Sequence, residues 1–256
     1  MGEWFPMAGQ PNILLITTDM QRYDTLGCNG NPHIRTPHID VLARTGVRFT
    51  HAFVNNPVCM PSRASLITGK VPSAHGVRWN SGGLGKHEVT VSRRLADAGY
   101  QTAAIGKMHW GDTEADLGYE YYTVTDDGGK STPGVETYQK FLRRTGYATA
   151  PRAEHVDGYR EYYGAVTSPL PTEQHVDGFV CRASIEFLRA RDRSRPFFCW
   201  TSFPGPPLPL DPAPPWDTLY DPEDLPLPVW ADNELDSKPP EQLAFQRNTR
   251  RGERVR

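Results

Sequence analysis

The sequence predicts an α/β fold built on buried parallel strands, and three observations carry that expectation. Asn12-Ile13-Leu14-Leu15-Ile16-Thr17, Tyr100 to Ile105 and Pro196 to Phe203 are largely apolar runs. They lack the in-and-out alternation of a strand with one wet face and suit strands covered on both sides. Segments with helical start and stop signals lie between them, so the two element types alternate along the chain.

The first run ends at Thr18-Asp19, and the second leads into Lys107-Met108-His109. In open α/β sheets ligands gather outside the carboxyl ends of strands, so Asp19, Lys107 and His109 are candidate site residues. Taken alone, Asp19 also fits a loop cap, and Lys107 with His109 fits a surface pair flanking a strand. After Asp19 a turn-rich stretch runs to Pro32. Thr36-Pro37 then opens a helix with an N-cap and a proline, Ile39, Leu42 and Ala43 share its apolar side, and Gly46 closes it. Val47 to Val54 is expected to form a strand.

Asn56-Pro57-Val58 breaks the chain before Cys59, and Ala64 to Thr68 reads as a short helix closed by Gly69, with Pro61 in its first turn. Cys59 would then stand at a helix N-terminus, where unpaired amides and the dipole favour an anion and lower a thiol's pKa. Arg63 sits one turn further in and adds a fixed positive charge. The plain alternative is a buried structural cysteine. Lys70 to Glu88 is loop-like. Its Gly82-Gly83-Leu84-Gly85-Lys86 fails as a phosphate loop, because Asn80 and His87 occupy the positions that need glycine and Ser/Thr. A helix follows over Val91 to Ala98, with Gly99 as its stop. Gly111 to Gln174 is uneven and rich in Tyr and Gly, its tyrosines suiting local packing or a pocket wall. His155 and His175 suit solvated or capping roles. Val176 to Arg191 is amphipathic, with Phe179, Val180, Ala183, Phe187 and Leu188 on one side.

A chain of 256 residues can bury one large core or two modest ones. Its net charge of −2 gives no reason to expect nucleic acid or an acidic membrane surface as a partner. Cys28, Cys59, Cys181 and Cys199 are widely spaced, which points neither to a zinc knuckle nor to a disulfide framework. No apolar run approaches ~18 residues, and the N-terminus lacks a basic start and an apolar stretch, so a cytoplasmic location and no membrane association are expected.

Two stretches carry a family resemblance. Cys59-Met60-Pro61-Ser62-Arg63-Ala64-Ser65-Leu66-Ile67-Thr68-Gly69 resembles the first signature of the formylglycine-dependent sulfatases, C-x-P-S-R followed by x-x-L-x-T-G. The competing phosphatase loop C-x5-R fails, since the sixth residue after Cys59 is Ser65. Gly99-Tyr100-Gln101-Thr102, continuing to Gly106-Lys107-Met108-His109, resembles the second signature, G-Y-x-T…G-K-x-H. Thr36, Pro37, Asp40, Leu42, Ala43 and Gly46 match a further stretch of the same family. The resemblance implies an alkaline-phosphatase-like α/β fold, a central mixed, mostly parallel sheet flanked by helices, cut short at the C-terminus.

It further implies a sulfuric ester hydrolase that cleaves a small-molecule sulfate ester. A separate formylglycine-generating enzyme would convert Cys59 to the nucleophilic aldehyde. Lys107 would hold sulfate oxygens, and His109 the hydroxyls of the aldehyde hydrate. Asp19 and position 59 would bind a divalent cation, Ca²⁺ or else Mg²⁺ or Mn²⁺, with Arg63 beside them. Three departures from the family pattern are plain. Met20 replaces a second oxygen ligand after Asp19, and a thioether is a poor ligand for a hard cation. Pro207 stands where a Pro-His element would place its histidine. No Asp-His-Gly element occurs between Glu241 and Arg256. A non-catalytic fragment or pseudoenzyme, or a phosphate or phosphonate ester hydrolase of the same superfamily, therefore remains as an alternative. The organisation expected is an N-terminal extension over 1–10, an incomplete sulfatase domain over 11–230 and an irregular, Arg-rich tail over 231–256.

Overall fold

The computed structural model describes residues 9–126, 129–150, 152–226 and 237–242. Most of the expected extension over 1–10 and most of the tail over 231–256 lie outside the described residues. Four strands form one sheet: β1 (Ile13–Thr17), β2 (Gln101–Gly106), β3 (Tyr121–Val124) and β4 (Phe197–Ser202), in the order β1-β4-β2-β3. Every pairing between them is parallel. The antiparallel element among the described residues is an isolated bridge, Thr123 to Ser131, beyond β3.

The helices are α1 (Pro37–Thr45), α2 (Cys59–Thr68), α3 (Pro72–His75), α4 (Val91–Asp97), α5 (Tyr138–Arg144) and α6 (Val176–Ala190). β4 and β2 occupy the middle of the sheet, which explains their unbroken apolar sequences. Alternate residues feed two cores. Ala104, Phe198 and Trp200 meet Met60, Ala64 and Ile67 of α2 on one face. Ala103, Ile105, Phe197 and Cys199 meet Phe179, Val180, Ala183 and Phe187 of α6 on the other, closed by Phe141 of α5. Among the described residues no helix is long and apolar enough to cross a membrane.

Two glycines sit where one backbone segment presses on another. Gly106 has φ +99°, and a Cβ there would lie 2.0 Å from the carbonyl oxygen of Ser202. Gly178 in α6 would meet the carbonyl of Thr172 at 1.9 Å. Both mark places where backbone approaches backbone more closely than any side chain allows.

The structure corrects several expectations. Residues 47–54 form no strand. Their Val-x-Phe-x-x-x-Phe pattern has no neighbouring strand to pair with among the described residues, and Val47, Phe49 and Phe53 are exposed. Thr36 does not cap α1. Its hydroxyl instead accepts from Gly27 N at 2.9 Å and bonds Asp40 Oδ1 at 2.9 Å, tying α1 to the Gly27–Asn29 turn. The expected loop over 70–88 contains α3. The uneven stretch over 111–174 contains β3 and α5, whose short lengths hid them. Its tyrosines serve packing: Tyr119 stacks on Trp110 and Phe198, and Tyr121 meets Phe187. His175 does cap α6, accepting from Asp177 N at 3.3 Å.

Because Phe179 is fully buried against Tyr138 and Phe141, Phe179→Ala is expected to cost about 3–5 kcal/mol. Ile39→Ala on the exposed side of α1 should stay within about 0.5 kcal/mol. Urea unfolding followed by circular dichroism checks both.

Candidate active site

The site lies at the carboxyl ends of β1, β4 and β2. Thr17 and Gly106 both pair with Ser202, so the three strands end level with one another. β1 and β2 flank β4, which places their ends about two strand spacings, ~10 Å, apart. Long side chains bridge that gap. Lys107 Nζ reaches Asp19 Oδ2 at 3.0 Å, and Arg63 Nη2, entering from α2, reaches the same oxygen at 3.1 Å.

Arg63 and Asp19 are both buried. The guanidinium also donates to Ser202 Oγ at 2.8 Å and to the carbonyl oxygen of Lys107. The indole of Trp200 lies 5.8 Å from its carbon. Asp19 N donates to Gly205 O at 3.0 Å, and Gly205 N donates to Asp177 Oδ1 at 3.3 Å. Arginine stays charged even when buried, and this one is held by the Asp19 carboxylate, the Ser202 hydroxyl and the Lys107 carbonyl. Two cations against one carboxylate leave a surplus of one positive charge, which suits an anion.

α2 starts at Cys59, five residues before the Ala64 start expected from the sequence, and closes on Gly69 in the left-handed conformation. Cys59 and Arg63 are therefore a full turn apart on one side of the helix. The Cys59 thiol donates to Asn80 Oδ1 at 3.4 Å, and the Met60 amide donates to the same oxygen at 3.1 Å. The helix is held from behind by His75. The Val77 amide donates to His75 Nδ1 at 3.2 Å, so Nε2 carries the proton and donates to Ser65 Oγ at 2.9 Å. Burial lowers the His75 pKa, which keeps that imidazole neutral.

His109 has φ +54°, and its Nδ1 is buried with no hydrogen-bond partner. His109 and Arg63 border one crevice of ≈ 10 Å³, room for no more than about one water. An unsatisfied buried nitrogen is the kind of polar orphan a ligand atom completes. The structure thus joins Asp19, Arg63 and Lys107 in one cluster, sets His109 on the same crevice as Arg63, and gives Cys59 to Asn80.

Asn80 and Ser202 escape sequence reasoning. Asn80 lies in a loop 21 positions from Cys59, and nothing local marks it. A hydroxyl at the end of a buried parallel strand was the available signal for Ser202.

The described residues alone do not assemble a complete divalent-cation site. Ca²⁺ takes 6–8 oxygens, yet Asp19 is already shared by two cations, and the described residues contain no group of three or more metal-ligating side chains. Met20 is 77% exposed and offers sulfur. Thr18 Oγ1 donates to Gln21 Oε1 at 2.8 Å, so the neighbouring amide is engaged as well.

The sulfatase family model matches residues 11–226. An arylsulfatase of Clostridium perfringens is 35% identical over 240 residues, covering 88% of this chain and 50% of its own length. Human arylsulfatase A is 45% identical over 111 residues, covering 41% of this chain and 22% of its own. A phosphonate monoester hydrolase from Agrobacterium radiobacter shares the fold, with a TM-score of 0.68 at 23% identity, over 85% of this chain and 45% of that one. The chain spans about half the length of the clostridial relative.

Removing the carboxylate of Asp19 strands two cations. Asp19→Ala is expected to destabilise the fold by about 3–5 kcal/mol, measured by denaturant unfolding. Burial pushes the Cys199 thiol up to about 11, whereas Cys181 is exposed. Iodoacetamide at neutral pH should therefore alkylate Cys181 long before Cys199, as peptide mass mapping would show.

Proposed function

Since this chain belongs to the sulfatase family, we propose that it carries the nucleophile-bearing, anion-holding part of a site that hydrolyses a sulfate monoester. The observation that supports this most directly is the convergence of Arg63 and Lys107 on Asp19 Oδ2, beside the N-terminus of α2 where Cys59 stands. Sulfate ester hydrolysis builds negative charge on oxygens bound to sulfur, and preorganised cations stabilise that charge.

Cys59 is half-buried, not sealed, and opens the first turn of α2, so it can be reached by a modifying enzyme. Converted to formylglycine by a separate generating enzyme, position 59 would supply a hydrated aldehyde whose hydroxyl is the nucleophile toward sulfur. The chain's own residues do the remaining work. Arg63, locked by Ser202 and the Lys107 carbonyl, supplies a charge that does not move. Lys107, with its side chain 19% exposed, can swing from Asp19 to an incoming sulfate oxygen. His109, whose Nδ1 is unpartnered, would hold the hydroxyls of the aldehyde hydrate. Asn80 steadies the side chain at position 59 and the Met60 amide together. Pro207 can exchange no proton with the leaving alcohol.

Co-expression with a formylglycine-generating enzyme, followed by mass analysis of the Cys59 peptide and an aryl sulfate assay, tests the proposal. The thiol-to-aldehyde mass change with turnover is expected. Cys59→Ala should abolish turnover, and Lys107→Ala should lower kcat by about 10²–10³. An unmodified thiol in a host that matures other sulfatases would refute the formylglycine assignment. Preference for an aryl phosphonate would refute the substrate class, and conversion without turnover would make this chain a non-catalytic relative.

A further inference from the structure

β4 leaves the sheet through Phe203-Pro204-Gly205-Pro206-Pro207-Leu208. The pairing of β1 with β4 continues past Ser202 into this turn: Phe203 N donates to Thr17 O at 2.8 Å, and Asp19 N donates to Gly205 O at 3.0 Å. The backbone of Asp19 is thus placed by the carbonyl of Gly205. Proline has no N–H, so Gly205 carries the one amide between positions 204 and 207. The partner of that amide therefore fixes the turn.

That partner is Asp177 in the first turn of α6, whose Oδ1 lies 3.3 Å from Gly205 N. Glycine leaves room for the carboxylate, since a Cβ at position 205 would lie 2.7 Å from Asp177 Oδ2. The start of α6 is itself braced against the chain beyond the turn. Ser168 N donates to Pro212 O at 3.1 Å, Thr172 Oγ1 donates to Pro214 O at 2.7 Å, and the backbone of Gly178 presses on the Thr172 carbonyl. His175 Nδ1 stands 3.7 Å from Asp177 Oδ2, and its Nε2 stands 3.7 Å from Asp211 Oδ1. The carboxylate sits in a frame, not on a free arm.

An acidic residue in a first helical turn also complements the helix dipole, a role that asks only for charge. Burial instead pushes the Asp177 pKa up, against the pull of His175 and of the Gly205 amide. Charge is disfavoured at this position, while the Gly205 amide requires an oxygen acceptor.

We propose that Asp177 is a positioning residue: through the Gly205 peptide it sets Asp19 where Arg63 and Lys107 converge. The path is continuous, from Asp177 Oδ1 to Gly205 N, from Gly205 O to Asp19 N, and from Asp19 Oδ2 to Arg63 Nη2 and Lys107 Nζ. Its consequence for turnover rests on the hydrolase reading; the positioning itself does not.

Amide hydrogen exchange in the purified chain, followed by NMR, tests the relay without turnover. Asp177→Ala should speed exchange at Gly205 and Asp19 by about tenfold, while the amides of β2 and β4 keep their protection. Asp177→Asn retains a side-chain oxygen and should bring both sites back to within about threefold of the parent chain. In the chain matured at Cys59, Asp177→Ala should lower kcat by about tenfold with KM within about twofold, and Asp177→Asn should recover most of kcat. Unchanged exchange at Asp19 in Asp177→Ala overturns the proposal. So does faster exchange spread evenly over β2 and β4, or an Asn variant no better than Ala, the pattern of a helix charge. An active chain whose kcat ignores Asp177→Ala overturns it as well. A matured chain that never turns over refutes the hydrolase reading instead, and exchange at Gly205 and Asp19 still decides the relay.

Discussion

The guanidinium of Arg63 is the interaction on which the rest depends. It is buried, and a buried charge is costly unless it has charged and hydrogen-bonding partners. Those partners come from β1 through Asp19, from the end of β2 through the Lys107 carbonyl and from β4 through Ser202, with Trp200 beneath. α2 is therefore docked on the strand ends by the residue that also supplies the site's fixed charge. Stability and anion recognition draw on the same contacts.

Around that hub the burial is arranged by strand position. β4 and β2 are shielded on both faces and bring Ser202 and Lys107 to one level without needing loops to find them. β1 holds Asp19 from the other side of β4. The positive surplus sits where the sheet is best packed.

Much of this was legible in the sequence because it rests on local signals. The runs at 12–17, 100–105 and 196–203 gave three of the four strands, and the amphipathic pattern of 176–191 gave α6. The spacings in 59–69 and 99–109 singled out Cys59, Arg63, Lys107 and His109 before any geometry was available. What stayed hidden depends on distant partners. Asn80 acquires its role only when a loop folds back to the start of α2. Residues 47–54 carry a strand's alternation, yet a strand exists only where a neighbour supplies its hydrogen bonds. β3 and α5 are too short for periodicity to reveal. Thr36 looks like a cap but is diverted to Gly27 and Asp40.

The glycine at the end of β2 has a further consequence. With the Ser202 carbonyl so close to position 106, one added methyl group would push β2 from β4 at the point where Lys107 leaves the strand and Ser202 anchors Arg63. Both cations would shift together. Variation at this hinge is thus all-or-none: a descendant of this chain cannot trade away one charge by small steps through position 106, and inherits the pair intact or loses it as a unit.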